Sequence, residues 1–203
     1  EVRDNILAQM MEVLDEVPID YIKWDYNRNM TEIGTAASGA LPGEVLHKYM
    51  LGLYEVMEAL VTKYPQILFE SCSGGGGRFD PGILYYMPQT WTSDNTDAVA
   101  RLEIQYGTSL VMPISSMGSH VSAIPNHQTH RKASMKMRGD VAMAGNLGYE
   151  LDVTTLSEAE KQEMKEQIIF VLSNNRAEAS VDKLMDIARR DTDRELRSKA
   201  IFW

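Results

Sequence analysis

Apolar positions along this chain switch between a helical and a strand-like spacing. Val2, Ile6, Leu7, Met10, Val13, Leu14 and Val17 recur at three- and four-residue intervals, which predicts an amphipathic helix ended by Pro18. A strand over 20–24 follows, then a polar, Gly-containing loop over 27–43 with Pro42 and Gly43 just ahead of a second helix. That helix carries Val45, Leu46, Tyr49, Met50, Leu53, Val56, Met57, Leu60 and Val61 on one side and stops before Pro65. Residues 67–70 read as a short buried strand. Asp80 and Pro81 read as the N-cap and first residue of a short helix through Tyr86.

A strand over 89–92 leads to a helix expected from Thr96 to Tyr106, and 109–112 is strand-like. A helix around 130–144, a strand over 147–151 and a helix over 157–171 complete the alternation, the last with Ser157 and Glu160 as a capping box. Strand followed by helix, repeated, is the mark of parallel α/β structure with both sheet faces covered. Polar residues that carry chemistry fall at the C-terminal ends of successive strands. That placement favours a (β/α)₈-type barrel over a doubly wound sheet, here a partial one of about five strand–helix units.

Composition narrows the function classes. The chain has 203 residues and is 44% hydrophobic, enough for one sizeable core. Its net charge of −9 and isoelectric point near 4.9 argue against nucleic acid and anionic membrane as partners, and suit a neutral substrate such as a sugar. Cys72 is the single cysteine, so no internal disulfide can form and a reducing, cytoplasmic setting is expected. No apolar run is long enough to cross a bilayer, and no signal peptide is visible. The chain starts without Met inside a helical pattern, so a fragment is expected. The thirteen methionines fall mainly at helix core positions, where they act as packing filler.

Two acidic clusters carry the candidate chemistry. In 21–27 (YIKWDYN), a β-branched and aromatic strand ends on Lys23, Trp24 and Asp25. A carboxylate fixed at a strand end beside a cation is equipped to act as a nucleophile. The second cluster, 93–97 (SDNTD), follows the strand-like 89–92. Two carboxylates at the ends of different strands are the minimum that glycoside hydrolysis needs. Structural alternatives stand beside each reading. Asp25 has Lys23 and Arg28 as candidate salt-bridge partners. Asp94 competes with Asp97, for which capping the next helix is an obvious role. The Gly-rich 71–77 lacks the Gly-Lys-Ser/Thr ending of a phosphate loop, so its glycines read better as a close backbone approach to a sugar. Cys72 as a thiol nucleophile lacks an evident histidine partner. His120, His127 and His130 match no common metal-ligand spacing, and neither metal nor cofactor is expected.

The blocks 21–27 (YIKWDYN), 70–78 (ESCSGGGGR), 92–97 (TSDNTD), 101–109 (RLEIQYGTS), 117–129 (MGSHVSAIPNHQT) and 145–152 (GNLGYELD) occur in order. Together they resemble the catalytic barrel of family 36 glycoside hydrolases, the microbial α-galactosidases. The resemblance implies cleavage of terminal α-galactosyl residues, as in raffinose or melibiose, with retention of configuration. By motif position it makes Asp25 the nucleophile and Asp94 the acid/base, and it places Lys23, Trp24, Asn27, Cys72, Gly75 and Trp91 around the galactose.

The family's N-terminal β-rich domain and first barrel strands, which supply further acidic, Trp and Arg contacts, have no counterpart in this chain. The likeness fades near Phe170. The expected division is therefore 1–172 as a partial catalytic barrel and 173–203 as a two-helix tail resembling one HEAT-type repeat. In the tail, Val181, Leu184, Met185 and Ala188 line the first helix, and Leu196, Ala200, Ile201 and Trp203 the second. One such repeat cannot bury its own face, so it must pack elsewhere. The expected partners are α-galactosides and either a second copy or a complementing chain. The other reading is a catalytically inactive barrel fragment or chimeric scaffold.

Overall fold

The computed structural model describes residues 1–27, 30–31 and 41–203, so Arg28 and most of the loop expected over 27–43 lie outside the described residues. Five strands alternate with helices, and each strand pairs in parallel within its own part of the chain, consistent with part of an α/β barrel. Contacts divide the chain into two compact units, Glu1–Asp94 and Asn95–Trp203.

The first unit contains α1 (Val2–Glu16), β1 (Tyr21–Asp25), α2 (Pro42–Lys63), β2 (Leu68–Cys72), α3 (Pro81–Tyr86) and β3 (Gln89–Trp91). Its core is Val56, Met57, Leu60, Tyr64, Ile67, Phe69, Ile83 and Met87, with Leu7, Met10, Met11 and Leu14 of α1 packed against it. The stripe predicted on α1 is only half covered: Val2, Val13 and Val17 stay exposed. Asp80 caps α3 as expected, accepting from the backbone N–H of Gly82 at 2.7 Å and of Ile83 at 3.0 Å, with Pro81 at the first helical position.

Strand side chains alternate between two faces. Ile22 and Trp24 pack on the helix-covered core, so Tyr21, Lys23 and Asp25 stand on the opposite face. The β1–β2 register sets Lys23 beside Glu70 and Asp25 beside Cys72, and the β2–β3 register sets Glu70 beside Gln89. One sheet face therefore gathers Tyr21, Lys23, Asp25, Glu70, Cys72, Gln89 and Trp91.

The second unit contains α4 (Ala98–Ser109), β4 (Met117–Ser122), α5 (Met135–Ala142), β5 (Asn146–Glu150), α6 (Glu158–Asn174), α7 (Glu178–Arg190) and α8 (Arg194–Phe202). The strand expected over 109–112 is not one. Val111 and Met112 donate backbone N–H groups back to Thr108 in a turn that closes α4, and Leu110 and Val111 are exposed. The strand lies at Met117–Ser122 instead, where buried serines obscure the apolar signal. Ser119 donates to Gln105 at 2.7 Å, and Ser122 to the Thr96 carbonyl at 3.1 Å. The helix expected from 130 begins only at Met135, capped by Ser134. The Ser157–Glu160 capping box is present at the start of α6.

Both tail helices form, and they pack on α6. Lys199 pairs with Glu166, and the Phe170 and Trp203 rings meet edge to face at 5.6 Å. Leu196 and Ala200 are buried, whereas Val181, Met185 and Ile201 are not.

Candidate active site

The site is assembled where three loops leave β1, β2 and β3. The glycine-rich turn after β2 ties them together. Gly74 and Gly75 hold φ of +57° and +81°, a region closed to most side chains, which bends the chain back on itself. Toward β1, Ser73 Oγ donates to the Tyr26 carbonyl at 2.7 Å and the Gly74 N–H to Asn27 Oδ1 at 2.6 Å. Toward β3, the Gly76 N–H donates to the Thr92 carbonyl at 3.0 Å. A methyl group on Gly75 would sit 2.6 Å from Ser93 Cα and 3.1 Å from the Asp94 nitrogen. The absent side chain is what lets the Asp94 backbone approach the turn.

Asp25 ends β1 directly beside Cys72. Its carboxylate accepts from Asn27 Nδ2 at 3.1 Å, and the Cys72 thiol is its cross-strand neighbour. Cys72 is 2% exposed, and its pKa is pushed up to about 11, chiefly by burial and further by the Asp25 carboxylate. A Gly75 N–H aimed at the sulfur and the Lys23 charge oppose that rise. The thiol is thus neutral beside a carboxylate and no nucleophile.

Lys23 forms its ion pair with Glu70, Nζ to Oε1 at 3.9 Å, where the strand-end reading paired it with Asp25. The same ammonium lies 4.7 Å from the centre of the Trp91 ring. Asp94 is exposed on the loop after β3. Asp97 is 3% exposed, caps α4 by accepting from the Ala100 N–H, and pairs with Arg131, which accounts for it structurally.

Of the residues singled out by sequence, the first unit holds Lys23, Asp25, Asn27, Cys72, Gly75, Trp91 and Asp94 on one face and the loops above it. Trp24 is placed differently: its side chain packs on the core side of β1. Two residues were missed. Arg78 donates to the carbonyls of Cys72 at 3.0 Å and Tyr26 at 3.4 Å and stacks on the Tyr26 ring, 4.8 Å to its centre, clamping the loops after β1 and β2. Glu70 is wholly buried between Tyr21, Gln89 and Lys23. Arg78 stood at the end of the glycine-rich block as a cation with no assigned task; Glu70 gave no signal, because its neighbours come from two other strands. A groove of about 660 Å³ between α1, α2 and β1 is lined by residues that include Val2, Ile6, Trp24, Tyr26, Tyr49 and Arg78, but not by Asp25.

Parallel strand–helix units with acidic residues at or just beyond the strand ends, Asp25 and Asp94, define the class as a segment of an α/β barrel. The chain belongs to the Melibiase family, whose model matches residues 1–179. It is 66% identical over 174 residues to alpha-galactosidase AgaA of Geobacillus stearothermophilus, covering 84% of this chain and 24% of that protein. The crystal structure of that GH36 enzyme in complex with 1-deoxygalactonojirimycin superposes with a TM-score of 0.80 at 64% identity, over the same shares of the two chains. Variants of it were also solved with stachyose and with raffinose. The α-galactosidase of Lactobacillus brevis gives a TM-score of 0.81 at 47% identity, covering 84% of this chain and 23% of its own. The chain thus spans about a quarter of the length of the relatives it matches.

Proposed function

We propose that this chain carries the two-carboxylate centre of a retaining α-galactosidase. Asp25 attacks the anomeric carbon while protonated Asp94 donates to the departing glycosidic oxygen. Water then cleaves the galactosyl–Asp25 ester with Asp94 as base. The observation that carries the reading is Asp25 itself, set at a strand end beside Cys72 and held by Asn27, with the glycine turn bridging its loop to that of Asp94. The relatives support it. The stachyose complex of AgaA carries an Asp-to-Ala replacement and the raffinose complex an Asp-to-Asn replacement. The spacing of those two positions agrees to within one residue with that of Asp25 and Asp94 here, and fits Asp97 less well. Lys23, Asn27, Cys72, Gly75 and Trp91 shape the galactosyl pocket, and Trp24 braces β1 from behind.

The substrates that fit are α-galactosides of the raffinose type. A complementing chain or a second copy would cover the sheet face, where Tyr21 and Leu68 stand exposed. The tail over 173–203 is read as a single HEAT-type hairpin on its sequence pattern alone.

The other reading is a scaffold without turnover. Hydrolysis of p-nitrophenyl α-galactoside tests both. The expected result is turnover that Asp25→Ala abolishes; no turnover, alone or paired with the remainder of a relative, would favour the scaffold.

A further inference from the structure

Glu70 is the one carboxylate with no exposed surface among the described residues of the first unit, and its two oxygens are treated unequally. Oε2 accepts from the Tyr21 hydroxyl and from Gln89 Nε2 at 2.6 Å. Oε1 accepts no hydrogen bond among the described residues, and the Lys23 ammonium faces it at 3.9 Å. That distance is too long for a hydrogen bond and lies at the outer edge of ion-pair range. A buried carboxylate with one oxygen doubly held and the other turned toward a cation is costly unless that cation stays in place. Trp91 completes the restraint, its ring face 4.7 Å from the same ammonium.

Resting on the galactoside reading above, we propose that Glu70 is a positioning residue for the site: its buried carboxylate and the Trp91 ring hold the Lys23 ammonium in one place on the face that carries Asp25 and Cys72, without consuming its N–H donors. The 3.9 Å gap is the functional part. A direct hydrogen bond would turn one Lys23 donor inward, whereas a charge held just beyond that range fixes the ammonium and leaves its protons for the hydroxyl oxygens of a bound sugar. Tyr21 and Gln89 in turn keep Glu70 from rotating to close the gap.

The test reads the Lys23 amine in the intact chain. Acylation needs the amine to leave its ion pair and reach the reagent, which a held ammonium resists. Rates of acetylation are measured by mass spectrometry for Lys23, with Lys63 and Lys136 as internal references, in wild type and Glu70→Gln. Glutamine keeps the shape and the Gln89 contact but removes the charge. The Lys23 rate should rise roughly two- to fivefold while the reference lysines hold, the range expected for a partly exposed ion pair. An unchanged Lys23 rate, or an equal rise at all lysines, would overturn the proposal. Where Glu70→Gln does not fold, Glu70→Asp, which withdraws the charge by one methylene, should give a smaller selective rise, and none would again overturn it. Adding 1-deoxygalactonojirimycin separates the two readings. Protection of Lys23 in wild type supports the galactoside reading; its absence counts against that reading alone, because the coupling of Lys23 to Glu70 is judged without ligand.

Discussion

Cys72 shows how one side chain serves a carboxylate neighbour without reacting. With its pKa held near 11 against an ordinary value of 9.0, the folded state keeps the thiol proton where the unfolded chain begins to lose it. The sign follows directly. The stability this proton contributes is fully present below pH 9 and is lost as pH rises through about 11. Iodoacetamide should therefore leave Cys72 unmodified in native protein at pH 8 and alkylate it in denaturant, as mass spectrometry would show; rapid native alkylation would contradict the buried, protonated thiol. Gly75 gives a second prediction. Alanine there must adopt φ near +81° and push against Ser93, so Gly75→Ala should destabilise by about 1–3 kcal/mol in urea unfolding. The positions of Asp25 at a strand end, of Asp94 just beyond one and of the glycine turn were legible because each sits in a distinctive run. Glu70 was not, because its function depends on a register that sets residues 21, 23, 70 and 89 side by side.

Elements were readable wherever end signals were chemical rather than statistical. Asp80 before Pro81 and Ser157 before Glu160 marked helix starts that the structure reproduces, since each side chain satisfies backbone N–H groups that a helix leaves unpaired. The Ser157 box also extends inward: Glu160 reaches Arg138 at 3.2 Å, and Arg138 donates to the Ser122 carbonyl at the end of β4 at 2.7 Å. Ser157→Ala should accordingly cost about 0.5–2 kcal/mol, toward the upper end, in thermal or urea unfolding; a neutral result would mean the cap is dispensable. The strand β4 was misplaced for a physical reason. Leu110 and Val111 look like strand residues but close a helix in the open, whereas the true strand buries serines that bond Gln105 and Thr96. Apolar periodicity registers hydrophobic burial and is blind to polar burial satisfied by partners from other elements.

For the whole molecule, ancestry and compactness divide the chain differently. The division expected near 172 follows the fading of family likeness, and the family model runs to residue 179. The compact units meet at Asp94 and Asn95, in the middle of an acidic block that looks continuous along the sequence. Such a division rests on long-range contacts, which no local pattern reports. The tail helices were legible as helices, but their packing partner was not: α6 receives them through Glu166 and Phe170.

The central claim is that Asp25 and Asp94 form a working retaining pair. It is tested most directly by exchanging residues 1–174 into the corresponding stretch of the G. stearothermophilus α-galactosidase and following p-nitrophenyl α-galactoside hydrolysis. The chimera should turn over and release α-galactose first by NMR. Asp94→Ala should lower the rate by roughly 10²–10⁴-fold and Asp25→Ala should abolish it. A chimera that keeps its activity without Asp25, or releases β-galactose first, would contradict the assignment.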